Sequence, residues 1–261
     1  MVVPGGVDRS GERRVIPVLL ALIERLAARH EVEVFALAQY EEPCRYPLLG
    51  ANVTNLGRPR TLAGLPGRTR LWHLSKLSQA IRAGHFDVVH AFWATEPGWL
   101  ATAAAARTAL PSVLSLAGGE LTALPDIGYG AQSPWRSRLL VAQALRRASV
   151  VTCASGPMAH AARSRGLDPL LVPLGVPPAA AGSGSEPSSP SAPSGGERLL
   201  FVGSLNRVKN PFTLLAALRR VVEVRPGVSL DVVGEDTLDG AVQRRAAELG
   251  LAGKVLSLIH I

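Results

Sequence analysis

The sequence predicts an α/β protein built from two parallel-sheet parts, and three observations carry this prediction. Short apolar segments alternate with amphipathic helical segments along most of the 261 residues, which is typical of parallel sheets covered by helices. The alternation stops in a stretch rich in Pro, Ser and Gly and then starts again. Hydrophobic residues make up 47% of the chain, which is the composition of a folded globular protein.

These changes in composition divide the chain into three parts. We expect a Rossmann-like domain over residues 1–177, a flexible linker over residues 178–197 and a second Rossmann-like domain over residues 198–261. The last part has room for only about three strands, which is a small core for an independent domain. We therefore expect an incomplete second domain from a truncated reading frame.

In the first part, the apolar segments predict strands at residues 1–3, 31–38, near 53, 86–91, 112–116, 150–154 and 170–174. The amphipathic segments predict helices at residues 16–26, 71–83, 96–109, 135–147 and 157–165. Ser10 is the expected N-cap of the first helix. In the last part, the same reasoning predicts strands at residues 199–203, 228–233 and 254–258 and helices at residues 211–225 and 238–249.

Several candidate binding residues lie at the carboxyl ends of predicted strands. Ligands of parallel sheets bind beyond the carboxyl ends of the strands, and His90, residues 117–120, Ser155 and Gly175 all fall at such positions. The clustering of these positions therefore predicts a binding site at this edge of the sheet.

The loop at residues 204–210 is the sharpest local candidate for a phosphate site. It carries Arg207 and Lys209 and leads into a helix that begins at Pro211, where the missing N–H of proline is harmless. Free N–H groups and the helix dipole favour anions at such a terminus. On spacing alone, an ordinary solvated loop explains the same residues.

Gly5 and Gly6 form a second candidate turn, after the first predicted strand. Glycine lets the backbone approach a ligand closely, although a plain strand-to-helix turn explains these residues equally well.

The charge pattern argues against a nucleic-acid module. The net charge is +8, but the basic residues are scattered and no nucleic-acid-binding signature occurs. The segment at residues 58–70 holds four arginines, which makes it the best candidate for a weak contact with an anionic membrane. A solvated loop is the alternative reading of that segment.

The sequence gives no indication of a metal-binding, membrane-spanning or secreted protein. Cys44 and Cys153 lie far apart without a CxxC pattern, so we expect no metal site. No apolar run approaches the length of a membrane-spanning helix and no leader peptide is visible. We therefore expect a cytoplasmic protein that is at most peripheral to the membrane.

Five segments in a fixed order resemble the retaining GT-B glycosyltransferases of family 4, from residue 1 to about residue 255. The five segments are, in order, GGVDRSGERRVIPVLLALIERLAARHEVEVFAL, FDVVHAFWATEPGWLA, ASVVTCASGPMAHAARSRG with the following LLVPLGVP, LLFVGSLNRVKNPFTLLAAL, and VSLDVVGEDTLDGAVQRRAAELGLAGKV. The resemblance implies two Rossmann-like domains of the GT-B type, a nucleotide-sugar donor, a carbohydrate or lipid-linked acceptor, and no metal or other cofactor.

The resemblance also assigns expected roles to particular residues. The donor-side positions that it implies are Gly5, Gly6, Ser204, Arg207 and Lys209. The acceptor-side candidates that it implies are His90, Gly118, Gly119 and Glu120. No catalytic residue is assigned.

Three departures from the family pattern keep a second hypothesis open. The usual arginine of the donor loop is Ser204 here, and the usual histidine after the strand at residues 112–116 is Ala117. The paired glutamates that hold the donor would lie beyond residue 261, so we expect impaired donor binding. The alternative is a Rossmann-like binding or interaction module without catalysis. A nicotinamide oxidoreductase or a P-loop NTPase is disfavoured, because neither glycine motif occurs.

Overall fold

The computed structural model describes residues 1–59, 61, 64–175 and 196–258. The chain divides into two compact units, Met1–Ala180 and Ala181–Ile261, called unit 1 and unit 2. The linker predicted at residues 178–197 lies outside the described residues except for its last two positions.

Unit 1 is built on an eight-stranded sheet. Its strands are β1 (Val2–Val3), β2 (Glu33–Ala36), β3 (Cys44–Leu48), β4 (Ala51–Asn55), β5 (Val89–Phe92), β6 (Ser112–Leu116), β7 (Val150–Cys153) and β8 (Leu170–Leu171). The order across the sheet is β3-β4-β2-β1-β5-β6-β7-β8. Every neighbouring pair is parallel except β3 and β4.

Helices cover both faces of this sheet. They are α1 (Pro17–Ala27), α2 (Pro66–Ala83), α3 (Glu96–Thr108), α4 (Trp135–Arg147) and α5 (Gly156–Arg163). Because neighbouring strand residues point to opposite faces, Val2 packs into the core formed with α2 to α5 and Val3 into the core formed with α1. Each large apolar side chain buried in this way stabilises the fold by about 1.5–3 kcal/mol.

The alanines of α3 let neighbouring helices pack closely on one face of the sheet. Ala101, Ala103, Ala104 and Ala105 are buried, and α2 and α4 both contact α3. Helices α2, α3 and α4 therefore lie side by side on the face opposite α1.

Unit 2 has a three-stranded parallel sheet. Its elements in chain order are β9 (Arg198–Val202), α6 (Pro211–Val224), β10 (Ser229–Val233), α7 (Ala241–Glu248) and β11 (Val255–Leu258). The strand order is β11-β10-β9, and Leu215, Leu218 and Leu230 lie in a common buried cluster. As the sequence predicts, Pro211 occupies the first turn of α6.

The structure corrects the prediction of one short strand near residue 53. Two antiparallel strands, β3 and β4, lie there and are joined by Leu49 and Gly50, both at positive φ. A two-residue hairpin turn needs positive φ at both of its residues, and these residues are usually Asn-Gly or Asp-Gly. The Leu-Gly pair differs from these usual turn sequences, so the sequence does not indicate a turn here. Pro47 is tolerated within β3 because β3 is an edge strand.

The prediction of Ser10 as an N-cap is also wrong. The residue that precedes α1 is Ile16, and Pro17 opens the helix. Ser10 instead belongs to a tight turn, where its hydroxyl donates to Asp8 Oδ1 at 2.8 Å and accepts from the amide of Glu12 at 3.2 Å. Proline at the first helical position fixes the helix start more strongly than a distant capping residue.

Candidate functional site

The first turn, residues 5–16, joins β1 to α1 and needs its glycines for packing. Gly6 has φ +80°, and a Cβ at this position would lie 2.4 Å from Ile16 Cδ1. A Cβ at Gly5 would lie 3.1 Å from Gln39 Oε1. These contacts explain both glycines without a ligand.

Two buried amide side chains hold the first turn in place. Gln39 Oε1 accepts hydrogen bonds from the amides of Gly6 at 2.7 Å and Val7 at 3.1 Å. Asn55 Oδ1 in turn accepts from the amide of Gln39 at 2.9 Å. Gln39 and Asn55 are 2% and 1% exposed. The amide of Gly6 is therefore bonded within the protein and not turned toward solvent.

Asp8 adds a polar contact at the rim of this turn. Its carboxylate accepts from the Ser10 amide at 3.0 Å and from the Tyr40 hydroxyl at 2.8 Å. These hydrogen bonds, led by the one from the Ser10 backbone, lower the pKa of Asp8 to about 2. The guanidinium of Arg9 lies 4.8 Å from the centroid of the Tyr40 ring, so the rim also carries a cation.

A large cavity lies beside the first turn, within unit 1. Its volume is about 1320 Å³, and its walls come from chain segments that follow β1, β2, β4 and β5. The polar and charged lining residues are Arg14, Gln39, Tyr40, Glu41, Glu42, Arg58, Thr69, His73, Thr95 and Glu96. This position, beyond the carboxyl ends of parallel strands, is where such sheets bind ligands.

His73 forms part of the wall of this cavity. Its Nε2 lies 2.8 Å from the carbonyl oxygen of Gly57, and its Nδ1 is buried without a hydrogen-bond partner. Since a carbonyl oxygen can only accept, Nε2 is the donor in this hydrogen bond.

His90 lies elsewhere, on the α1 face of the sheet. It is the second of the four residues of β5, so it lies within a strand, as the sequence predicts, with two further strand residues after it. Its Nε2 lies 2.8 Å from Ser115 Oγ, and Ser115 Oγ lies 2.7 Å from Thr152 Oγ1. Burial lowers the pKa of His90 to about 4, so the ring is neutral at physiological pH. A separate cavity of about 370 Å³ contains these three residues in its wall.

The loop after β6 is closed on itself through Glu120. Glu120 is 2% exposed, and its carboxylate accepts from the amides of Ala117 at 2.9 Å and Gly118 at 2.7 Å. Burial raises the pKa of this carboxyl. A Cβ at Gly119 would lie 2.9 Å from the Tyr129 hydroxyl, so this loop also needs glycine for packing.

The second turn, residues 203–210, lies in unit 2 and joins β9 to α6. Leu205 anchors it: its amide donates to the Glu235 carbonyl at 2.8 Å, its carbonyl accepts from the Thr237 amide at 3.1 Å, and its side chain is buried. Gly203, at φ +151°, lies against the turn that follows β10, where a Cβ at Gly234 would meet the Gly203 carbonyl at 2.2 Å. The backbone of the second turn is therefore fixed.

The cations of the second turn remain open to solvent. Asn206 Oδ1 accepts from the backbone amide of Lys209 at 3.0 Å, and Asn210, with φ 48°, caps α6 by accepting from the Thr213 amide at 3.4 Å. The side chains of Arg207 and Lys209 are exposed and have no polar partner among the residues that the structure describes. The chemistry available here is the binding of an anion by two cations at a helix N-terminus.

The structure groups the predicted site residues only in part. Ser204, Arg207 and Lys209 share the second turn. Residues 118–120 and His90 lie apart within unit 1, and neither belongs to the wall of the large cavity. Sequence reasoning missed four residues that build the first turn: Asp8, Gln39, Tyr40 and Asn55. The sequence signal that could have found three of them, Gln39, Tyr40 and Asn55, is their position at or just beyond the ends of strands.

Solved structures share this fold at low sequence identity. The lipopolysaccharide outer core galactosyltransferase WaaB is 15% identical, with 99% of this chain and 67% of that chain covered at a TM-score of 0.62. Alr3699/HepE from Anabaena, solved with UDP and glucose, is 17% identical, with coverage of 96% and 67% and a TM-score of 0.66. A trehalose-6-phosphate synthase, from a study of glycosyltransfer with retention, is 11% identical, with coverage of 100% and 72% and a TM-score of 0.66.

These likenesses show that the chain has an α/β fold of the GT-B type. No curated protein sequence matches the chain. The model of the glycosyl transferase 4-like domain matches residues 15–175, which include most of unit 1 and more than half of the chain. Ile16, Gln39, most of the wall of the large cavity and the loop after β6 fall within this match. The chain therefore belongs to the glycosyl transferase 4-like family.

Proposed function

We propose that this chain supplies a nucleotide-sugar site for the transfer of a sugar, with retention, to a carbohydrate or lipid-linked acceptor. The observation that carries the proposal is the second turn, where Arg207 and Lys209 are exposed at the start of α6 without partners among the described residues. This proposal goes beyond family membership, which gives glycosyltransferase activity in general terms.

The chemistry needs positive charge where the leaving group forms. The bond from the sugar C1 to the diphosphate oxygen breaks, a bond from C1 to the acceptor hydroxyl oxygen forms, and the hydroxyl proton passes to an oxygen of the departing diphosphate. The nucleoside diphosphate leaves with additional negative charge, which fixed cations and a helix N-terminus stabilise. We assign this role to Lys209 and Arg207, with Ser204 in the same turn, two residues after β9. The reaction proposed here needs no metal ion.

For the acceptor we propose the large cavity of unit 1. Its wall combines amide, hydroxyl and carboxylate groups with Arg14 and Arg58, a mixture that suits a ligand rich in hydroxyl groups. The first turn borders it through Arg14, and Pro4, just before the turn, also lies in its wall. The donor-side role expected for Gly5 and Gly6 stays a prediction. We propose that His90 and residues 118–120 support the sheet and its loops from outside the cavity.

The relatives support the choice of donor and stereochemistry. Alr3699/HepE was solved with UDP and glucose, and the trehalose-6-phosphate synthase belongs to a study of transfer with retention. UDP is therefore the first nucleotide to test. Ala117, which replaces a histidine usual in the family, favours the alternative of a binding module that holds the donor without transferring it.

Calorimetric titration of the 261-residue chain tests the donor site. We expect UDP to bind and uridine to bind at least tenfold more weakly, because the proposed contacts are to the diphosphate. GDP and ADP, tested in parallel, identify the base preference. Equal affinity for UDP and uridine, or no binding of any nucleotide, would contradict the proposal. Nucleotide release from several nucleotide-sugars then separates a transferase from a binding module.

A further inference from the structure

Helix α4 presents a basic and partly apolar surface that the proposed sugar transfer does not use. Its 13 residues include four arginines and no acidic residue. Val141 and Ala144 are the buried residues of this helix. The side opposite to them faces solvent.

Apolar side chains lie at the centre of that outward side, with arginines around them. Trp135 and Leu139, four residues apart and thus neighbours on one side of the helix, are 59% and 49% exposed. Arg146 lies two turns beyond Leu139 on the same side, while Arg136 and Arg138 flank it. The guanidinium of Arg136 lies 5.2 Å from the centroid of the Trp135 ring. Tryptophan and leucine bordered by arginine are typical of helices that lie at a membrane surface.

The other helices on this side of the sheet carry mostly positive charge. Helix α2 carries three arginines and one lysine without an acidic residue, and the one acidic residue of α3, Glu96, lies 3.6 Å from Arg70. Within the described ranges, neither Arg136, Arg138 nor Arg146 has an acidic partner. This face therefore attracts anions without internal compensation.

Helix α4 is not the segment that the sequence favours for a membrane contact, which is residues 58–70. Arg58 lines the large cavity and Arg70 is paired with Glu96, while Arg60 lies outside the described residues. Arg68 remains exposed at the start of α2. The structure thus shifts the strongest basic and apolar combination from that segment to α4.

We propose that the outward side of α4, formed by Trp135, Arg136, Arg138, Leu139 and Arg146, docks on an anionic phospholipid bilayer. The arginines bind lipid phosphates, and Trp135 and Leu139 enter the boundary between headgroups and acyl chains. Charge complementarity selects an anionic partner. The exposed tryptophan and leucine select a bilayer over a nucleic acid, because only the bilayer offers an apolar phase to them.

Sedimentation with vesicles tests this proposal on the full chain. We expect binding to vesicles with one-third phosphatidylglycerol, weaker binding as salt rises, and little binding to pure phosphatidylcholine. Each arginine contributes about fivefold to affinity, so the R136Q/R138Q/R146Q variant should bind about 100-fold more weakly. Trp135→Ala should weaken binding about tenfold and remove part of the blue shift in tryptophan emission.

A matched variant separates docking from general charge attraction. R25Q/R29Q/R220Q removes the same charge from exposed positions outside helices α2, α3 and α4, and it should retain binding within about fivefold. Equal losses in both triple variants, or unchanged binding of Trp135→Ala, would overturn the proposal. So would an RNA affinity above the vesicle affinity, since this would assign the surface to nucleic acid. The vesicle test does not depend on UDP binding, so this inference and the proposed donor site can fail separately.

Discussion

The first turn and the second turn, each of which contains glycine and joins a strand to a helix, use their polar groups in opposite ways. In the first turn, the amides of Gly6 and Val7 are already bonded to Gln39. In the second turn, the backbone is fixed through Leu205, while the side chains of Arg207 and Lys209 reach solvent without partners among the described residues.

The difference separates a supporting turn from a binding turn. A buried amide that has found a side-chain acceptor contributes to the stability of the fold, and a ligand would have to replace that acceptor. A cation on a fixed backbone has no internal partner that an anion must displace. Less conformational entropy is also lost when the anion binds, because the backbone is already ordered. Sequence similarity between two glycine-rich turns therefore does not imply the same role.

The largest expected effect is on nucleotide affinity in the second turn. Lys209→Ala should weaken UDP binding by roughly 2–4 kcal/mol if the lysine faces the diphosphate in a closed site, measured by calorimetry on the full chain. The thermal stability of the chain should not change, because the lysine side chain has no partner in the described structure. Arg220→Ala removes the same charge from an exposed position on α6 and serves as the control. Equal losses in the two variants would remove Lys209 from the site.

The matching change in the first turn should act on stability. Gln39→Ala leaves the two amides without their acceptor, at about 1–3 kcal/mol for a buried group, so we expect a loss of about 2–3 kcal/mol in the free energy of unfolding of unit 1. The four tryptophans, Trp72, Trp93, Trp99 and Trp135, all lie in unit 1, so tryptophan fluorescence during urea unfolding reports on this unit. Gln79→Ala, at an exposed position of α2, is the control. A loss as small as that of the control would show that the first turn does not depend on Gln39.

The pH dependence of unit 1 should come partly from His90. Its pKa is about 4 in the fold and about 6.5 when unfolded. The unfolded chain therefore binds more protons between these values, and the folded state loses stability as the pH falls. From pH 7 to pH 5 this amounts to about 2 kcal/mol. His90→Gln should flatten the dependence of the unfolding midpoint on pH over this range. An unchanged slope would mean that the ring is not kept neutral by burial.

The smallest expected effect concerns metal ions. Since Arg207 and Lys209 are proposed to supply the charge that faces the diphosphate, EDTA should leave the UDP affinity of the chain within about twofold. The same titration with added Mg²⁺ should give the same affinity. A tenfold gain with Mg²⁺ would show that the second turn needs a metal to complete the site.

Much of the fold could be predicted because the spacing of hydrophobic residues within a strand or helix is a local property of the sequence. The strand at residues 112–116 and the helix at residues 135–147 occur with the predicted bounds. The hairpin turn at Leu49 could not be predicted, because a leucine at positive φ carries no local signal.

The site was less predictable than the fold. Arg207 and Lys209 stand out in the sequence because their turn lies next to Pro211 and the start of a helix. Gln39 and Asn55 do not, because their role depends on hydrogen bonds to residues between 15 and 33 positions away. Such bonds follow from strand order and register, which no short sequence window contains. The bounds of β5 differ from the predicted residues 86–91 because the extent of a strand depends on the strands it pairs with.

The pair of Gln39 and Asn55 also has a kinetic consequence. Asn55 holds the chain after β2, and Gln39 in turn holds the chain after β1, so one segment cannot open without releasing the other. The amide hydrogens of Gly6, Val7 and Gln39 therefore belong to one cooperative opening unit. In hydrogen exchange they should show one shared free energy of opening, although they lie on two separate segments of the chain.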